Sequence, residues 1–127
     1  MARKPKYSIE IRVYADISVV CCKDTHYHSD CITALGAVLS EAEKQASSGL
    51  VIVDLTDVVL FSSAALRALR ATHLSLKKRD GRIVAAGGGE LALSVLKFAP
   101  FIEHFVTLDE ALAKLSVPAM QAFKGSN

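Results

Sequence analysis

The 127 residues are enough for one domain, and an apolar share of 51% excludes a disordered chain. A net charge of +2, with Lys and Arg scattered and no aromatic residues interleaved among them, gives no footprint for DNA or RNA. Charge-free apolar runs such as residues 58–66 are far too short to cross a bilayer, so no membrane insertion is expected.

Residues 7–14 alternate, with Ile9, Ile11 and Val13 on one side, and predict a half-buried strand. Residues 17–22 predict a second strand, joined to the first by a short hairpin at 14–16. The polar run 23–30 reads as a loop, and Ser29 or Asp30 offers an N-cap. Ile32, Leu35, Val38, Leu39 and Ala42 then repeat at helical spacing until Ser47-Ser48-Gly49. Leu50-Val51-Ile52-Val53 is continuously apolar and ends at Asp54, the pattern of a central strand covered on both sides.

After Thr56-Asp57, residues 58–61 lead to Ser62-Ser63 and a helix through about Lys78, with Leu66, Leu69, His73 and Leu76 on its apolar stripe. Residues 82–86 predict a strand, Gly87-Gly88-Gly89 a turn, and Leu91 to Leu96 a helix. A last strand is expected near Phe105-Val106, and a last helix capped by Asp109. The order is β-β-α-β-α-β-α-β-α. It predicts a single α/β domain over 7–116 with a mixed sheet, followed by a frayed tail at 117–127.

Several residue groups raise chemical possibilities. Cys21, Cys22 and Cys31 are odd in number, and two are adjacent, so reduced thiols are expected rather than a disulfide framework. The basic start at residues 1–6 gives way to the alternating 9–13 where an apolar leader core would run, which points to a cytoplasmic protein. His26, His28, Asp30 and Cys31 could supply part of a metal site, but no second ligand pair completes one. The reading is a solvated loop with no metal. His73, on its apolar stripe, reads as a hydrogen-bonded, partly buried residue. Gly87-Gly88-Gly89 lacks the Lys-Ser/Thr of a phosphate loop and reads as a tight turn. Asp54, Asp57 and Asp109 assemble no nucleophile, base and orienter, so neither an enzyme nor a cofactor is expected.

The stretch from Val51 to Leu66, VIVDLTDVVLFSSAAL, resembles the signature of STAS domains. There an apolar strand ends in Asp-Leu-Ser/Thr, a short apolar link follows, and Asp-Ser-Ser/Ala-Gly-Leu opens a helix. The resemblance runs on through Arg79-Asp80-Gly81-Arg82-Ile83-Val84 and Phe101-Ile102 to Leu108-Asp109-Glu110-Ala111-Leu112, and covers about 7–116. Two positions depart from the pattern: Ser62 stands where the family usually has Asp, and Ala65 where it usually has Gly. Cys22-Lys23-Asp24-Thr25 also replaces the Gly-x-Leu/Ile-Asp that follows the family's second strand.

The resemblance implies an anti-sigma factor antagonist that works by partner switching. Ser63 matches the serine phosphorylated in those proteins, with Ser62 as second choice. Asp24, Thr25, Ser62, Ser63, Ala64, Ala65 and Arg67 would meet the partner, an anti-sigma factor and serine kinase of the histidine-kinase-like ATPase type. The alternative within the same family is an accessory subunit of a bacterial ABC-type lipid transport system, for which phosphorylation is irrelevant.

Overall fold

A strand with no polar side must be covered twice, and Leu50–Asp54 (β4) is placed accordingly. Val51, Ile52 and Val53 are all fully buried in the computed structural model, which describes residues 6–115. The strand sits in the middle of a five-stranded sheet of order β1-β2-β4-β6-β7, with β1 Ile9–Tyr14, β2 Ile17–Cys22, β6 Arg82–Ala86 and β7 Glu103–Phe105. β1 is antiparallel to β2 with Tyr14 facing Ile17, and all the other pairings in this sheet are parallel. The sheet is therefore mixed, its parallel part as the alternation of strands and helices predicts and its antiparallel edge as the hairpin at the amino end predicts.

The alternating side chains of the sheet feed two cores. Val20, Cys22, Val51, Val53, Ile83 and Ala85 face α1 (Ile32–Gln45), α2 (Ser63–Lys77) and α3 (Glu90–Leu96). Val19, Cys21, Ile52, Val84, Ala86 and Phe105 face the other way, toward Ala111 and Leu115 of α4, residues 108–115. Cys21 and Cys22 do point to opposite faces, and all three cysteines are free and buried.

The joint between α2 and β6 shows why Arg79-Asp80-Gly81 has its composition. The Arg79 guanidinium donates to the carbonyls of Glu43 and Ala46 at the end of α1, at 3.2 and 2.8 Å. Asp80 takes a left-handed φ of 57°, and a Cβ on Gly81 would stand 2.6 Å from the Gly49 carbonyl.

Four local expectations are corrected. The first strand starts at Ile9, and Tyr7 instead packs into the core, 5.3 Å from the Tyr27 ring. Ser29 and Asp30 do not cap α1. They lie in a 3-10 turn, Ser29–Cys31, and Asp30 is taken by Tyr7 and Lys6, which holds its carboxyl below the ordinary range. Thr107, not Asp109, caps α4, its hydroxyl accepting from the Glu110 amide at 3.1 Å. The segment 23–30 is not loop throughout, because His26–Tyr27 forms β3. The expected tail at 117–127, with Ser116 before it, lies outside the described residues.

Burial gives the fold an alkaline limit. Cys22 is 2% exposed, and desolvation pushes its thiol up to about 12, although the Tyr27 hydroxyl offsets part of this. Tyr27 is likewise raised by burial. The unfolded thiol gives up its proton near 9.0 while the folded one keeps it. The contribution to stability is whole below that value and is lost as pH climbs from 9.0 toward 12. The urea midpoint should therefore fall between about pH 8 and about pH 10.5, with a shallower fall in Cys22→Ala. A wild-type midpoint that is flat across this interval would contradict the account.

Candidate functional site

At the carboxyl end of β4 the chain must leave the sheet, and Asp54 organises the exit. Its carboxylate accepts from the Thr56 amide at 3.0 Å and from the Thr56 hydroxyl, closing a turn on its own backbone. Leu55 still bonds to Ala86 of the neighbouring strand at 2.7 Å, and both Leu55 and Val58 are buried. Gly87 packs against this turn with φ +76, where a Cβ would come within 2.9 Å of Thr56 Cα. The Asp-Leu-Thr string is thus a structural turn, with its acid consumed locally.

The next residues are held from the side. Leu60–Phe61 (β5) pairs in parallel with β3, Tyr27 opposite Phe61, in a separate two-stranded sheet. The Thr25 carbonyl accepts from the amides of Val59 and Leu60 at 2.7 and 3.0 Å, and the Tyr27 carbonyl from that of Ser62 at 2.9 Å. Tyr27 and Phe61 are fully buried beneath this ladder. Ser62 is thereby fixed in extended backbone at the N-cap of α2, its hydroxyl accepting from the Ala65 amide at 3.3 Å. Cys31 Sγ lies 3.9 Å from the same hydroxyl, and burial pushes that thiol up, so it stays protonated and unreactive.

The two serines consequently differ. Ser62 is half-buried with its oxygen in use, whereas Ser63 is exposed. Arg67 is also exposed, one turn along the same side of α2. Thr25 is exposed beside the ladder. Asp24 is half-buried, and its carboxylate is occupied by the Ser8 amide at 2.7 Å and the Tyr27 hydroxyl at 3.1 Å.

Ala64 and Ala65, expected in the docking surface, are 8% and 0% exposed and bring almost no side-chain surface to the corner. The Ala65 methyl belongs to the core. Its bulk is therefore directed inward. Ser63 instead opens on a groove of about 230 Å³ between α2 and the chain after α3, lined also by Leu66, Arg67, Arg70, Phe98 and Phe101. The sequence reading missed Arg70 and both phenylalanines. The trace of Arg70 was its position seven residues after Ser63, which returns it to the same helix face.

The histidine-rich stretch does not converge. His26 and His28 are exposed and their rings stack at 5.8 Å, while Cys31 points into the core. No group of three or more metal-binding side chains occurs among the described residues. His73 is half-buried, as expected, but it is packed against the Phe101 ring at 4.7 Å instead of held by a hydrogen bond among the described residues. None of the helices among the described residues is long and apolar enough to cross a membrane.

No family model matches the sequence, and no curated protein is significantly similar to it. Solved structures are similar in fold. The Bacillus cell fate determinant SpoIIAA, an anti-sigma factor antagonist, superposes in its unphosphorylated form with a TM-score of 0.71 at 14% identity, over 85% of this chain and 96% of that one. Its phosphorylated form gives 0.67 at 14% identity over 85% and 99%. An anti-sigma factor antagonist from Mycobacterium paratuberculosis gives 0.66 at 22% identity over 86% and 93%. A Thermotoga maritima protein assigned to the same class gives 0.71 at 13% identity over 84% and 92%. The chain has a STAS-like fold. In this fold the corner at Ser62-Ser63 joins a core strand to a surface helix, and it is open to solvent on the Ser63 side.

The division between the serines can be read in stability. Ser62→Ala removes the cap and should cost about 1 kcal/mol in urea unfolding. Ser63→Ala should stay within about 0.5 kcal/mol of wild type, since its side chain is exposed. Equal losses for the two would contradict the assignment of the cap to Ser62.

Proposed function

We propose that the chain is a non-enzymatic regulatory binding module, an anti-sigma factor antagonist whose partner is exchanged according to phosphorylation of Ser63. The observation that carries this reading is the exposed Ser63 hydroxyl at the opening of α2, beside a capping serine that is already engaged. A kinase can reach Ser63 without dismantling the helix start, whereas modifying Ser62 would remove its cap.

The physical gate is simple. A phosphate adds about −1.5 to −2 charges at neutral pH, and the start of a helix tolerates an anion. The fold is then little changed, while a partner seated over Ser63 meets a bulky charge. A tenfold to hundredfold loss of affinity needs only about 1.4 to 2.8 kcal/mol. The partner is an anti-sigma factor that is also a serine kinase of the histidine-kinase-like ATPase type. Thr25, Ser63 and Arg67 present its contact surface, with Asp24 shaping the segment beneath. Support comes from the shared fold and from SpoIIAA, which is known in both unphosphorylated and phosphorylated forms.

The test is intact mass after incubation with a serine kinase of this type from the same organism, together with ATP. A gain of one phosphate, abolished in Ser63→Ala and retained in Ser62→Ala, is expected. Ser63→Asp should bind that kinase about tenfold to a hundredfold more weakly than wild type. No mass gain with any such kinase, or undiminished binding by Ser63→Asp, would overturn the reading and leave a module that docks without modification.

A further inference from the structure

α2 carries its charge on one side, and all of it is positive. Between Ser63 and Lys77 there is no acidic residue, and Arg67 and Arg70 follow Ser63 at spacings of four and seven. Those spacings put all three on one face of the helix. The same three residues line one groove, whose opposite wall is Phe98, Ala99 and Phe101. Phe98 is 83% exposed, so that wall brings apolar surface and no charge to the groove.

Among the described residues neither guanidinium has a partner, and the ion pairs there are Lys6–Asp30, Arg12–Glu10, Lys23–Glu10 and Arg82–Glu103. The acids on the elements packed against α2 are otherwise occupied or remote. Asp30, on the 3-10 turn, is held by Lys6 and Tyr7. On α1, Glu41 accepts from Gln45 at 3.1 Å, and Glu43 accepts from Ser75 at 2.7 Å and borders a depression on the other side of Arg67 without an ion pair to it. Glu90 opens α3 at the end away from Phe98.

We propose that a phosphate on Ser63 is held within the chain by the Arg67 guanidinium, with Arg70 as the second cation in the same groove. This rests on reading Ser63 as the phosphoacceptor. An anion one turn before a cation is the favourable order on a helix, and a planar guanidinium can donate two parallel hydrogen bonds to a phosphate. The modified chain thus loses the free cation of its docking face at the same moment that it gains the anion. The gate acts by neutralising Arg67 as well as by crowding the partner.

The experiment uses the full chain with phosphoserine incorporated at position 63 and follows its second ionisation by phosphorus NMR. An ordinary phosphoserine titrates near about 6. The wild-type phosphate should titrate about 0.2 to 0.4 of a unit lower. Arg67→Gln should return most of that shift, Arg67→Lys should keep part of it, and Arg70→Gln should return less than Arg67→Gln. Thermal melts confirm that each variant is folded. A wild-type phosphate that titrates like a free one, or a shift that Arg67→Gln leaves in place, would overturn the proposal. Partner switching is measured separately, by the kinase assay above, so the clamp and the gate fail independently.

Discussion

Two residues of parallel strand hold the corner together. β3 and β5 exchange few bonds, yet these decide where α2 begins, because the Ser62 amide is tied to the Tyr27 carbonyl before the helix starts. Without that tie the link from 55 to 61 would be seated by the buried Leu55, Val58 and Phe61 and by backbone bonds to Ala86 and Gly89, none of which reaches Ser62. With it, the backbone at Ser62 is extended and its hydroxyl faces the first turn. Tyr27 and Phe61, buried under the ladder with their rings 6.1 Å apart, shield these bonds from water. The open corner is therefore the outer surface of a well-packed joint.

This joint gives adjacent hydroxyls separate duties. A cap has its oxygen turned back on the helix, and at this corner the residue after it lies on the solvent side of α2. One serine is engaged and the next is presented. The departure at Ser62 fits this arrangement. Asp and Ser are comparable caps, so a Ser where the resemblance leads one to expect Asp leaves the helix start intact. What changes is charge, since a carboxylate next to Ser63 is missing while Arg67 and Arg70 remain on the same face.

Much of the fold was legible because the strongest periodic segments are also those whose neighbours lie nearby in sequence. β4 has no polar side and had to be central, and α1 and α2 showed amphipathic stripes whose Leu35, Leu39, Leu69 and Leu76 are all buried. β3 was not legible, because two residues have no period. The one trace is Tyr27, the single buried side chain between Lys23 and Ser29. The cap of α4 was misplaced by two residues because Thr107 and Asp109 are both capping types, and only the backbone decides between them. The groove partners Phe98 and Phe101 were invisible for another reason. They meet α2 only because α3 is carried there by the sheet, a long-range consequence that local pattern does not contain.

The Ala65 position separates what the fold demands from what a partner demands. A methyl at this site is fully buried and packed in the larger core, where alanine also favours the helix over glycine. The fold therefore gains from alanine here, and nothing in the packing calls for glycine. Under the proposed reading, recognition comes from side chains that do reach solvent. On this helix face these are Ser63, Arg67 and Arg70, which makes the corner a surface read through charge instead of close backbone contact.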